Sequence, residues 1–213
     1  MSSLTLIPWT ASPTDWTTIL GHPDPTNPGA VTIKMPSQKD LIFSASLECG
    51  LYTKTLVRSK GGVQDTAFAT ATIQTRVVLD PGTTWERIAD PGSVTFARRA
   101  QTLSATLQGI IGNLACFPPD AVTGIPTFDP NAVGCVLTPE EISLMLVTLN
   151  ANAFIFAASD VGVGVHNVLL QARIDLGVQV QAGEADAQAL IGKGALEVED
   201  VRLIKGGVID IGV

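Results

Sequence analysis

The sequence predicts an all-β chain folded as an antiparallel β-sandwich of about ten strands, with one short helix near 139–150. Three observations predict it. Apolar and polar residues alternate with a period of two along several runs, the signature of strands with one buried face. Clusters of Gly, Pro and Asp separate those runs. Strands do not alternate regularly with helices, so a parallel doubly wound sheet is not expected. Ten short antiparallel strands bury their apolar faces by stacking as two sheets.

Residues 1–30 read as an extended arm, because five of the 13 prolines fall between positions 8 and 28. A single sandwich domain follows over 31–205, beginning with a strand candidate at 31–35. In 41–49 the odd positions Leu41, Phe43, Ala45, Leu47 and Cys49 are apolar, and 51–58 is a further candidate. Residues 67–79 repeat the pattern. Ala67, Ala69, Ala71, Ile73, Val77 and Leu79 share one face, with Thr70, Thr72, Gln74 and Arg76 on the other. Gly61-Gly62 supplies the turn between these runs. Asp80-Pro81-Gly82 and Asp90-Pro91-Gly92 have the residue order of β-turns and bracket a short excursion carrying Trp85. Strand candidates at 93–98 and 101–109 follow, with Leu103, Ala105 and Leu107 inward.

The predicted helix starts at Thr138-Pro139-Glu140-Glu141, which fits a capping box with Pro at the first helical position. Ile142, Met145, Leu146 and Leu149 recur at helical spacing, and Asn150 ends the run. Residues 153–158, 165–176, 178–191 and 195–204 are the remaining strand candidates. Val168, Leu170, Ala172, Ile174 and Leu176 take the inward phase, and so do Leu196, Val198 and Ile204. Gly162 and Gly164 mark one turn and Gly192 and Gly194 another. Residues 206–213 are an apolar tail hinged at Gly206-Gly207.

Composition narrows the function classes. Of 213 residues, 46% are apolar and 15% charged, against about 25% charged in an average soluble domain. A poorly charged surface fits a protein that buries area against partners. The formal charge of −7, from 13 basic and 20 acidic residues, argues against a nucleic-acid partner, whose phosphates need Lys and Arg. Mean hydropathy is +0.32. No apolar run approaches the ~18–20 residues of a membrane-spanning helix, so no membrane span is expected. The start, Met1 to Trp9, lacks a basic region and is broken by Pro8, so no cleavable signal peptide is read there.

Residues that carry chemistry are sparse. His22 sits in the Pro-rich arm and His166 on an inward strand position, both read as structural. No nucleophile elbow, phosphate loop or H-E-x-x-H is present, so no catalytic residue is assigned and no enzyme is expected. Three scattered Cys and two His do not make a zinc site. The acidic loop from Asp120 to Asp129 fails the EF-hand pattern, because its third and fifth positions are Val122 and Gly124. An irregular calcium site near Asp120 and Asp129 is the one exception to an expectation of no cofactor. Cys116 and Cys135 enclose 18 residues rich in Pro and Gly. A disulfide there would stabilise by roughly 3 kcal/mol, and two unpaired buried thiols are the alternative. Cys49 reads as a small core residue. Trp9 and Trp16 lie in the arm and read as packing it down or binding a neighbour. With Trp85 they are the only large platforms, and an aromatic content of 5% with a single Tyr is poor for stacking on sugars.

Two segments carry a resemblance. Gly164-Val165-His166-Asn167-Val168-Leu169-Leu170-Gln171-Ala172-Arg173 is similar to the G-x-H-x-V-x-L-Q strand of jelly-roll heads, as found in C1q/TNF-like proteins and in phage and bacterial appendages. Residues 195–203 resemble the closing strand of the same heads. The resemblance implies a jelly-roll-like sandwich that assembles with copies of itself, and it transfers no binding residue.

The ends of the sequence point the same way. Val208, Ile209, Ile211 and Val213 form a β-branched alternating run, and Leu4, Leu6, Ile7 and Trp9 form an apolar one. Such segments suit strand addition to a sheet edge on a neighbouring subunit, with pairing inside their own subunit or disorder as the alternatives. The expected function is that of a non-enzymatic structural subunit, outside the cell or on a particle surface. It would self-assemble into an oligomer, filament or shell. The alternative is a lectin-like or other ligand-binding module, with a glycan as partner.

Overall fold

Every odd position from 41 to 59 is buried, and residues 39–59 fold as one strand rather than the two expected. The computed structural model describes residues 15–21 and 31–202. Among them are eleven strands. In chain order they are β1 (Thr17–Leu20), β2 (Val31–Met35), β3 (Lys39–Ser59), β4 (Val63–Leu79), β5 (Arg87–Ile88) and β6 (Val94–Leu107). There follow β7 (Ile110–Ile111), β8 (Leu137–Thr138), β9 (Glu140–Val161), β10 (Gly164–Val180) and β11 (Gly183–Val201). All pairings are antiparallel. Strand candidates 93–98 and 101–109 likewise merge into β6.

Two sheets face each other. In the first, β4 lies beside β10, with β1 and β2 sharing the far side of β10 and β5 and β6 the far side of β4. The second is β11–β3–β9. The chain is thus an all-β antiparallel sandwich, as expected. β1 lies within the segment read as an extended arm, so that arm contributes an edge strand.

The inner faces follow from period two. Direct cross-strand partners share a face, and Leu41, Phe43, Ala45 and Leu47 of β3 are buried against Ala69, Ala71, Ile73, Val77 and Leu79 of β4 and Val168 and Leu170 of β10. Bulky side chains of one sheet thus meet a row of alanines on the other, so large and small residues interdigitate between the layers. Cys49 belongs to this core. Further along β3 the inward row turns polar, with Thr53 and Thr55 fully buried. Gln101 of β6 crosses the core to meet them: its Oε1 accepts from Thr53 Oγ1 at 2.8 Å, and its Nε2 donates to Thr55 Oγ1 at 2.6 Å.

The expected helix near 139–150 is absent; residues 140–161 are β9. A capping box is worth about 1 kcal/mol. Against it stands an unbroken ladder along β3, from Glu140 opposite Ser59 to Ala158 opposite Leu41. Breaking that ladder would orphan backbone groups of β3 in the middle of a sheet. The capping residues act elsewhere: Glu140 accepts the Gly109 N–H at 2.9 Å, and Glu141 pairs with Arg58 at 2.5 Å. Two turn expectations also change. Gly192 and Gly194 do not separate strands but flank a bulge inside β11. The 178–191 candidate is broken at 181–182, where the chain passes from β10 in one sheet to β11 in the other. Gly183 makes that passage with φ +131, and a Cβ there would collide with the Leu56 carbonyl.

One end of the sandwich carries the lobe 108–139, which lies outside both sheets. It holds the β7–β8 ribbon, a single 3-10 turn at Leu114–Cys116 and a disulfide between Cys116 and Cys135. The other end carries the 80–93 excursion and the 162–163 turn.

Candidate assembly surface

The segment expected to be a helix carries the most exposed apolar surface. β9 is an edge strand, bonded to β3 on one side only. The free side is traceable by hydrogen bonding. Ala157 exchanges both backbone bonds with Asp90, donating at 2.9 Å and accepting at 2.8 Å. Arg87 Nη1 donates to the Ser159 carbonyl at 2.7 Å. In an antiparallel ladder, alternate residues direct both backbone groups to the same side. The odd-numbered residues of β9 therefore point away from β3. Asp90 and Arg87 close this edge at one end. From Ser143 through Met145, Val147, Leu149, Ala151 and Ala153 to Ile155 it has no backbone partner among the described residues.

Side chains on both faces of this stretch are apolar and exposed. By register, Ile142, Leu144 and Leu146 take the inner phase and Met145, Val147 and Leu149 the outer one. All six are exposed, Leu149 at 75%. Next to Leu149, Gly50 leaves a notch that continues to Leu190 on β11. A Cβ at Gly50 would lie 3.1 Å from Leu149 Cδ2 and 3.3 Å from Leu190 Cβ. The surrounding groove measures about 350 Å³.

Edge strands normally carry charge, Pro or bulges that discourage further pairing. β6 carries Arg98 and Arg99 and a register shift. β11 carries Glu184, Asp186, Lys193, Glu197 and Glu199 and a bulge. β9 has no charged residue, Gly or Pro from 142 to 159.

The β6 and β9 edges lie side by side across the sandwich and are joined by side chains. Gln101 Nε2 donates to the Leu144 carbonyl at 2.8 Å, and Asn152 Nδ2 donates to the Phe96 carbonyl at 3.0 Å. Between these tethers lies Arg99, inward by register, whose buried Nη1 has no partner among the described residues. Arg98, its sequence neighbour, faces out and is exposed.

The structure places the other residues singled out in the sequence as follows. Leu4, Leu6, Ile7, Trp9, Val208, Ile209, Ile211 and Val213 lie outside the described residues, as does His22. Trp16 lies against the outer face of the first sheet, with the Arg76 guanidinium 4.4 Å and that of Arg173 5.2 Å from its ring. Burial there lowers the pKa of Arg76 from its ordinary value. His166 is held by Asp80 Oδ2 at 2.7 Å and by the Gly162 carbonyl at 3.0 Å. Both partners are acceptors, so the ring donates to both only as an imidazolium.

Asp120 and Asp129 cap their own turns. Asp120 Oδ1 accepts the N–H groups of Thr123 at 2.8 Å and Val122 at 2.9 Å, and these bonds hold its carboxyl below the usual range. Asp129 Oδ1 accepts from Asn131 N at 2.8 Å. No group of three or more His, Cys, Asp or Glu placed to hold a metal occurs among the described residues.

The open edge escapes a reading of the sequence because its residues also satisfy a helical period. The signal that marks it is the absence of charge, Gly and Pro over 142–159 with apolar residues at both parities. Comparison with family models, with curated proteins and with solved structures finds no match to this chain.

Proposed function

We propose that this protein is a non-enzymatic structural subunit that self-assembles by strand addition, with the open side of β9 as the acceptor. The observation that carries the reading is the combination of unpaired backbone and uncharged, two-faced apolar surface over 143–155. Left in water, such an edge is a template for uncontrolled pairing. Covered by a strand from a second copy, it gains ladder hydrogen bonds and buries Met145, Val147 and Leu149. The donor is the alternating run 208–213, which reaches ~20 Å at strand rise and so covers about half of the open stretch. Its β-branched residues suit the apolar faces of the acceptor. The disulfide between Cys116 and Cys135 supports an oxidising location, extracellular or on a particle surface. The resemblance of 164–173 and 195–203 to self-assembling jelly-roll heads agrees with this role.

The test compares three full-length forms by light scattering and negative-stain microscopy: wild type, a chain lacking 208–213, and the double variant Val147→Lys, Leu149→Lys. Wild type is expected to form oligomers or filaments, and both variants folded monomers. A monomeric wild type, or assemblies that survive the lysine variant, would overturn the proposal. Assemblies that survive only the deletion would overturn the donor.

A further inference from the structure

A second site stands at the end of the sandwich away from the disulfide lobe, and assembly through β9 does not use it. The 80–86 turn and the 162–163 turn face each other across a cleft of about 720 Å³. On its rim stands Trp85, 80% exposed and the most exposed aromatic residue among those described. An exposed indole is costly to leave in water, and the turn that carries this one is held by hydrogen bonds. The Trp85 backbone N–H donates to Thr83 Oγ1 at 3.1 Å, and Thr83 Oγ1 in turn donates to the Asp80 carbonyl at 2.8 Å. Glu86 braces the turn by accepting the Gly82 N–H at 2.6 Å.

The backbone around the cleft is unusual. Asp80 (φ 50) and Asp160 (φ 55) are the only non-glycine residues with left-handed backbone among the described ones, and both line this cleft. Asp tolerates that region better than most residues, but its use twice around one cavity places two carboxyl-bearing turns there. Strained backbone of this kind gathers at binding sites. The polar wall is completed by Arg87 and by His166, fixed between Asp80 and Gly162. Val163 and Val165, both exposed, add apolar surface.

We infer that this cleft binds a neutral pyranose, the end ring of a glycan. A pyranose has a face of C–H groups and a rim of hydroxyls that both donate and accept. The exposed indole on its hydrogen-bonded turn offers a flat apolar platform for the face. Arg87 has N–H groups beyond the one given to Ser159, and carboxylate oxygens accept from more than one donor, so both can meet the rim. The single aromatic platform and open walls fit one ring rather than a chain of sugars. With the carboxylates of Asp80 and Asp160 set against the Arg87 guanidinium, the cleft has no excess positive charge to draw an anionic sugar.

Saturation-transfer difference NMR on the full chain tests this and works on monomers and assemblies alike. The probes are the methyl pyranosides of glucose, galactose, mannose and N-acetylglucosamine, with sialic acid as the charged comparison. At least one neutral pyranoside is expected to show saturable transfer through its C–H face, with Kd on the order of 1–10 mM. Trp85→Ala is expected to weaken it at least tenfold, Trp85→Phe to restore part of it, and neither to move the unfolding midpoint. No saturable transfer from any neutral pyranoside would overturn the inference. So would transfer that survives Trp85→Ala, or binding of sialic acid alone.

Discussion

Gln101 and Thr53 belong to opposite sheets and meet in the core, with Thr53 Oγ1 donating to Gln101 Oε1 at 2.8 Å. The same side chain donates to Thr55 Oγ1 and to the Leu144 carbonyl, so one amide ties β6 to both β3 and β9. Alanine at 101 would leave two buried hydroxyls short of a partner. A loss of about 3 kcal/mol is expected, read as a lower urea midpoint. A change below about 0.5 kcal/mol would show that the network does not tie the sheets together.

Asp80 is a second anchor. Its Oδ1 accepts the Asn167 N–H at 3.0 Å and its Oδ2 meets His166 Nδ1. Asp80→Ala should destabilise by about 2 kcal/mol. Asp80→Asn retains one acceptor and should cost less. Equal losses in the two variants, measured by thermal unfolding, would place the effect in turn geometry rather than in these bonds.

Cys49 gives a pH signature. Burial raises its thiol from 9.0 to about 11, so the unfolded chain ionises first. Its contribution to stability is complete below pH 9 and is lost as pH rises from 9 to 11. Wild type should therefore lose stability relative to Cys49→Ala across that window, and the native thiol should resist alkylation at pH 8. Parallel pH profiles of the two proteins would contradict this.

The disulfide lobe should respond independently. Replacing Cys116 and Cys135 with Ser removes a constraint worth about 3 kcal/mol. Because the lobe lies outside both sheets, the loss should appear as faster hydrogen exchange over 110–138. Amides of β3 and β4 should keep their protection. Equal acceleration in the sheets would mean that the lobe supports the core.

The sequence by itself determined the strands whose two faces differ. Ala67 to Leu79 alternate with Thr and Gln, and only a strand with one face buried makes that pattern useful; β4 and β10 are legible for this reason. The Asp80 turn and Gly61-Gly62 were legible because their backbone needs are local, whereas the next turn closes from Ala89 to Gly92 and puts Pro91 third rather than second. β9 was not. Ile142, Leu144, Met145, Leu146, Val147 and Leu149 are apolar at both parities, so they satisfy helical and strand periods alike, and the local caps favoured the helix. Only pairing with β3 decided the matter, and with it the existence of an open edge. The Trp85 cleft was hidden for a related reason. Trp85 is far in sequence from Asp160 and His166, and no period records which turns a sandwich brings to the same end. Local backbone preference is written in neighbouring residues, whereas an edge or a cleft exists only once distant strands have found their partners.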